Sequence, residues 1–439
     1  MLDELREIVG EENFFDTEED LTAYSRDFSF FKIKPLCIVR PTKTEEVVRI
    51  VKFAYDNSLA LIPRGAGTNT CGEAIGEGII VDMSMMNKII EVNERDFYCT
   101  VQPGVVLEDL NRELRERGLF FPPDPASSKA CTIGGMVANN SSGLRAIKYG
   151  TTRDYVMGLQ VVLPAGKVIE TGTLAPKSSS GYNLTGLFVG SEGTLGIFTK
   201  VYLRILPRPK YSQSLVIELD GPEEVGPAVK QILAESNPSA LEFIDDICLA
   251  SLRKRYSLRI DGKAALLVEF DGDRKSVAEE ANRIKSMGYR SRIQNNIWEY
   301  RKNLVPALVN YKRDVSPYAV SEDIGVPISK VADTILKVKE IYANKGFEVA
   351  VYGHCGDGNL HMRVFADEGS LERAIRASDE VYKYVLKVGG TVTAEHGVGL
   401  LRRRYLPREH GNALHIMRKL KKAIDPKGIM NPGKIFEEV

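Results

Sequence analysis

Three of the five histidines in this chain of 439 residues fall in two short, glycine-flanked clusters. One reads Tyr352-Gly-His354-Cys-Gly-Asp357-Gly-Asn359-Leu-His361, the other Thr393-Ala-Glu395-His396-Gly397-Val-Gly399. Neutral imidazole and carboxylate are ligands suited to a divalent metal. His354 is expected to close a strand over 347–352, residues 356–359 to turn, and His361 to open the next strand. A hairpin then sets the two imidazoles side by side. A third element ending at Glu395 would complete a two-histidine, one-carboxylate site, leaving His396 for proton transfer. The competing reading makes these ordinary turn residues with capping histidines. Two such clusters in one chain weigh against it.

The elements that position these residues belong to a chain too long for one compact core, so two or more domains are expected. Its 59 basic and 59 acidic residues cancel. That leaves no basic excess for a nucleic-acid binder, and the short run Arg402-Arg-Arg404 reads as a solvated helix face. The start, Met1-Leu-Asp-Glu-Leu-Arg-Glu, has the pattern of an acidic amphipathic helix rather than a signal peptide. No apolar stretch reaches membrane-spanning length. Cys37, Cys71, Cys99, Cys131, Cys248 and Cys355 are scattered with no C-x-x-C pair, against a disulfide framework or an intrinsic iron–sulfur cluster. A cytoplasmic setting is expected, compatible with docking on a membrane partner.

Along the first half, glycine-rich turns separate short apolar runs. A helix pattern begins at Thr44, and strands are expected at 59–63, 79–82, 159–163, 187–189 and 199–205, with a helix over 105–118. Pro207-Arg-Pro209 marks a boundary. Beyond it, strands at 214–219 and 264–270 alternate with helices at 223–235 and 276–287, suggesting an antiparallel sheet covered on one face. A helix over 412–423 precedes the turn-rich tail.

Three loops in the first half are rich in small residues. The first, Arg64-Gly65-Ala66-Gly67-Thr68-Asn69-Thr70, follows a strand, and its glycines let backbone N–H groups approach a pyrophosphate. A Rossmann fingerprint needs a third glycine and an immediate helix; Thr70 stands in that place, so a diphosphate cradle of another kind is expected. Residues 122–128, with 132–143 after them, are too rich in small polar residues for a packed element and suit a backbone wrapped around a large polar ligand. Gly190-Ser-Glu192-Gly-Thr-Leu-Gly-Ile197 has the same character.

Taken in order, these motifs, with the final Asn431-Pro-Gly-Lys434, resemble FAD-linked 2-hydroxy-acid dehydrogenases of the vanillyl-alcohol-oxidase superfamily. The resemblance covers roughly residues 15–437. It is to D-lactate dehydrogenases, the flavin subunit of glycolate oxidase and D-2-hydroxyglutarate dehydrogenases. It implies an α+β chain with a two-subdomain FAD-binding domain over 1–207, an antiparallel-sheet cap carrying substrate and metal residues over 208–411, and a C-terminal segment, 412–439, returning to the flavin domain.

Carried over residue by residue, the resemblance places the pyrophosphate on Arg64, Gly65, Ala66, Gly67, Thr68 and Asn69. Pro123, Asp124, Pro125, Ser127, Ser128, Thr132, Gly134, Gly135 and Ser141 would line the flavin. Tyr149, Gly150, Asp154 and Ile197 would hold its ring and adenine portions, with Asn431 in the returning tail. The first loop has no histidine, which implies non-covalent FAD. His354, His361 and Glu395 match the family's metal ligands for zinc, manganese or iron, and His396 its catalytic base. Arg301 matches the substrate-carboxylate clamp and Asn359 a polar residue beside the substrate.

Hydroxyglutarate enzymes carry a lysine near the position of Ser321 or Glu322, where an acid would repel a second carboxylate. Lactate or glycolate is therefore favoured over a dicarboxylate. The implied reaction is metal-assisted hydride transfer from a small D-2-hydroxy acid to flavin N5. Electrons would pass to an iron–sulfur subunit, an electron-transfer flavoprotein or a quinone, in a homo- or hetero-oligomer. Three rivals stand beside it: a hydroxyglutarate-type dehydrogenase, a flavoprotein acting on an alcohol or ether lipid, and a non-catalytic FAD subunit of an electron-transfer complex.

Overall fold

The computed structural model describes residues 2–256, 258–312 and 319–437, without the side chains of residues 319–321 and 368. The chain divides into two compact units. One comprises Met1–Ser142, Thr151–Arg208 and Glu395–Val439; the other comprises Gly143–Gly150 and Pro209–Ala394.

The first unit is built on two sheets. A four-stranded sheet runs in the order Phe14–Phe15, Cys37–Val39, Ile79–Asp82, Leu61–Arg64, and its last three strands are parallel. Both faces of those strands are buried. Cys37, Val39, Ile79, Val81 and Leu61 pack on the helix Thr44–Asp56 through Val47, Ile50 and Val51, while Ile38, Ile62 and Ile80 point the other way. Period-2 alternation with apolar residues on both sides suits parallel strands. The second sheet has five antiparallel strands, in the order Ile89–Asn93, Tyr98–Val101, Ile197–Arg204, Val156–Val162, Val168–Gly172.

Two short expectations fail here. Residues 187–189 are not a strand: Asn183 caps the helix Leu184–Phe188 by accepting the Gly186 N–H at 2.7 Å, a local side-chain bond that outweighs the apolar run. Nor is 132–143 all loop. Thr132 caps the helix Ile133–Asn139, which stops at left-handed Asn140, so small residues there pack rather than merely bend.

In the second unit a seven-stranded antiparallel sheet runs in the order Arg290–Ile293, Tyr211–Leu219, Ala264–Gly272, Ala240–Ile244, Glu348–Gly353, Asn359–Phe365, Ala319–Gly325. It is covered on both faces rather than one. Val216, Ile244, Leu267, Ala350 and Tyr352 pack against the helices Asp246–Tyr256, Ile297–Lys302 and Leu304–Tyr311. On the opposite face Glu322 accepts a hydrogen bond from Tyr382 of the helix Leu371–Lys387. Uninterrupted burial along 264–270 and 349–353 is the sign of strands sandwiched between layers. Among the described residues no helix is long and apolar enough to cross a membrane.

Candidate active site

In the second unit the expected hairpin forms, with Tyr352 opposite His361 in its ladder. His354 follows the first strand directly and His361 is the third residue of the next. Their Nε2 atoms lie 3.4 Å apart, with the ring planes at 90°. Two Nε2 ligands of a tetrahedral divalent metal, each about 2.0–2.1 Å from it, would be separated by about 3.3 Å. Each ring is backed by a carboxylate on its other nitrogen. His354 Nδ1 is hydrogen-bonded to Glu242, and His361 Nδ1 lies 3.6 Å from Asp323 Oδ1. Carboxylates so placed fix the ring orientation and direct Nε2 to a metal. The donor set therefore fits a divalent ion.

Glu242 does more than back one histidine. It is completely buried in the strand Ala240–Ile244, and its Oε2 accepts from Arg301 Nε at 2.6 Å. Burial pushes the carboxyl up, but His354 and Arg301 overcome this and hold it down at about 2. Burial likewise disfavours the Arg301 charge, and Glu242 more than restores it. The Arg301 guanidinium lies 5.2 Å from the Tyr352 ring centroid. Asn359 braces Asp323, donating from Nδ2 to Oδ1 at 2.7 Å; its own Oδ1 is buried with no hydrogen-bond partner among the described residues. The other Asp323 oxygen accepts from Thr393 Oγ1 and from the Ala394 N–H.

Glu242→Gln should therefore loosen two groups at once. We expect metal affinity to fall about 10–100-fold, seen as lower occupancy at limiting metal by elemental analysis. Breaking this buried pair should cost on the order of 3–5 kcal/mol in stability. The sign follows from the depressed carboxyl, with an ordinary value of 4.5 and a folded value of about 2. The pair's contribution is present above pH 4.5 and lost as pH falls through about 2. Acid titration of unfolding in the variant should lack that slope; an unchanged acid limb would show that Glu242 is not the group responsible.

In the first unit Glu395 accepts from Ser142 Oγ at 2.8 Å, and His396 Nε2 lies 3.6 Å from Glu395 Oε1. Their loop is held by its backbone. Glu192 accepts from the Val398 N–H at 2.6 Å and the Gly399 N–H at 2.8 Å, and Asn139 donates to the His396 carbonyl at 3.3 Å. Gly397 has φ +85°, and a Cβ there would sit 2.7 Å from Glu73 Oε1, so the turn requires glycine. Burial raises the Glu73 carboxyl to about 8, helped by Glu192. Arg402 is not on a solvated face: it is 0% exposed and donates to the Gly397 carbonyl at 2.9 Å. The turn needs a cation beneath it, which a charge run read along the sequence does not reveal.

The small-residue loops also meet in this unit. A Cβ on Gly65 would lie 2.3 Å from Thr132 Oγ1, so the first loop touches the second at a point where only glycine fits. Several residues expected at the cofactor spend their side chains elsewhere. Arg64 donates to the Ala74 and Arg26 carbonyls, Asn69 to Asp27 and Glu73, and Asn431 to the Glu73 and Glu192 carbonyls. Asp154 accepts from the Thr151 N–H. What these loops offer a ligand is chiefly backbone. Tyr149 and Gly150 belong to the second unit, where the Tyr149 hydroxyl bonds Asp271.

Glu242 and Asp323 were not singled out in the sequence. Glu242 is a lone acid facing inward from a buried strand, and that mismatch was the available signal; Asp323 stands beside a second acid, Glu322, in its strand. The Ser321 side chain lies outside the described residues. Glu322 turns to Tyr382, on the face away from its neighbour Asp323, so it does not approach the histidine pair.

Comparison with known proteins agrees with this architecture. The pattern described as FAD binding domain matches residues 35–172, and that described as FAD linked oxidases, C-terminal domain, matches residues 208–435. The Bacillus subtilis glycolate oxidase subunit GlcD is 36% identical, covering 99% of this chain and 96% of its own. D-lactate dehydrogenase of Anaerostipes hadrus is 34% identical over 98% of this chain and 94% of its own. D-2-hydroxyglutarate dehydrogenase of Stutzerimonas stutzeri is 30% identical over 99% and 98%. Among solved structures, p-cresol methylhydroxylase with substrate bound shares the fold at a TM-score of 0.83 and 18% identity, covering 100% of this chain and 96% of its own. With both halves matched and relatives aligned almost end to end, the chain belongs to the family of FAD-linked oxidases.

Proposed function

We propose that this protein oxidises a small D-2-hydroxy acid to the 2-oxo acid, using FAD and a divalent metal and passing electrons to a separate acceptor. The observation that carries this reading is the arrangement around Glu242. One carboxylate orients His354 for a metal and anchors Arg301 by Nε, leaving the terminal nitrogens of the guanidinium for a bidentate grip on a carboxylate. A metal centre beside an arginine fork suits a 2-hydroxy acid, whose hydroxyl and carboxylate lie on adjacent carbons. Relatives named for glycolate, D-lactate and D-2-hydroxyglutarate support the same class.

When bound, the flavin supplies a hydride acceptor at N5 and the metal a Lewis acid for the hydroxyl. The protein's own groups do the rest. His354 and His361, with Glu395, would hold the metal. Glu395 directly follows Ala394, whose N–H rests on Asp323, the carboxylate behind His361. Arg301 fixes the substrate carboxylate, Asn359 stands as a polar group beside the substrate, and His396 takes the hydroxyl proton. The FAD is non-covalent, cradled by Gly65, Ala66, Gly67, Thr68, residues 123–128, Thr132, Gly134, Gly135, Ser141 and Ile197. Six buried free cysteines suit a reducing, cytoplasmic setting. An iron–sulfur subunit, an electron-transfer flavoprotein or a quinone would receive the electrons.

The test is dye reduction by metal-reconstituted protein with D- and L-lactate, glycolate and D-2-hydroxyglutarate. Turnover confined to D or achiral acids supports the reading; no reduction with any of them overturns it. The purified protein is also expected to be yellow and to release FAD on mild acid denaturation. Flavin remaining with the precipitate would reveal a covalent tether. A preference for a monocarboxylate would have to rest on something other than Glu322, which faces Tyr382.

A further inference from the structure

Arg363 is a buried cation that neither the fold nor the proposed reaction uses. It is 8% exposed, and no hydrogen bond, ion pair or ring contact engages it among the described residues. Burying an unpaired charge is costly, whereas Arg301 and Lys421, also buried, are paired with Glu242 and Asp425. The register shows where Arg363 stands. It lies two residues after His361 in the strand Asn359–Phe365, opposite Ala350 and Ser321, as His361 lies opposite Tyr352 and Asp323. Residues two apart in a strand share a face, so Arg363 rises from the same face as His361, displaced by about 6.6–6.8 Å along the strand. Arg301 is tethered over the strand Ala240–Ile244, two strands away, which is about 10 Å across the sheet. Tyr352 stands between them, its phenol within the field of both guanidiniums.

We propose that Arg363 is a specificity-determining residue that receives a second carboxylate at the far end of the substrate's short side chain. This rests on the reading of the site as one for 2-hydroxy acids. One carboxylate sits on Arg301, the hydroxyl at the histidine pair, and the distal carboxylate completes the charge that Arg363 lacks. An acid with a bare methyl or hydrogen there leaves the guanidinium buried and unpaired. The preferred substrate is accordingly a 2-hydroxy dicarboxylate.

The experiment uses the FAD-loaded, metal-reconstituted protein and Arg363→Met, which keeps length and removes charge. Binding of 2-oxoglutarate and 2-oxopentanoate, equal in carbon number and differing in the distal carboxylate, is measured by calorimetry. Turnover of D-2-hydroxyglutarate and D-2-hydroxypentanoate is measured by dye reduction. The wild type should favour the dicarboxylate in both assays by at least about tenfold, as a hydrogen-bonded charge pair warrants. Arg363→Met should abolish that preference, with the weakened binding and turnover falling on the dicarboxylate rather than on the neutral-chain acids. Arg363→Lys should restore part of it. An equal response of the wild type to both acids, or a preference that survives in the methionine variant, overturns the proposal. Should 2-oxoglutarate bind through Arg363 while no hydroxy acid is oxidised, the anion site stands and the proposed oxidation falls. If the methionine variant fails to fold, the lysine variant and the wild-type comparison still decide.

Discussion

His361→Ala is expected to empty the metal centre and lower turnover on the order of 10³-fold, roughly 4 kcal/mol at 1.36 kcal/mol per decade. The argument is geometric. Two Nε2 atoms at 3.4 Å form a preorganised pair of nitrogen ligands, and deleting either leaves a lone imidazole. The alanine also strips the group that Asp323 backs, so Asp323, buried and braced by Asn359, would face the vacated volume. Elemental analysis should find the metal gone while bound flavin, read by its absorbance, stays near wild type. His354→Ala should behave alike and should additionally disturb Arg301, because Glu242 loses one of its two side-chain partners. Activity that persists in both variants in the presence of a chelator would make the histidines structural.

The legible part of this site is the part written in short sequence. Hairpin spacing alone brought His354 beside His361, because strand, turn and strand form one continuous stretch from Glu348 to Phe365. The partners that orient them did not announce themselves. Glu242 is 112 residues from His354, in a strand that reads as apolar, and only sheet order brings them together. Asp323 hid beside Glu322, since adjacent strand residues face opposite ways and a sequence reading had no means of choosing which acid faces the histidines. The glycine loops showed that backbone must approach something, but not that Glu192 would spend its carboxylate on the Val398 and Gly399 amides. Arg402 misled for the same reason: three consecutive arginines look solvated until the packing buries one.

That backbone clamp bears on the last prediction, His396→Ala. In an extended strand, Glu395 and His396 would point to opposite faces and could not serve one centre. The structure has no strand there, and Gly397 at φ +85° turns the chain immediately after the pair. Glu192 and Asn139 grip the loop through the Val398 and Gly399 amides and the His396 carbonyl, none of which involves the imidazole. Removing the ring should therefore leave the loop in place, so that the variant reports chemistry rather than collapse. As the base for the substrate hydroxyl, His396 is expected to be worth about 10²–10⁴ in turnover. Metal and FAD content should stay near normal, and the acidic limb of the pH–rate profile, where an imidazole base is protonated, should disappear. Metal content decides between the two neighbours. Loss of metal from His396→Ala with retention in Glu395→Ala would exchange their roles, making the histidine the ligand and leaving the carboxylate, held by Ser142, as the proton acceptor.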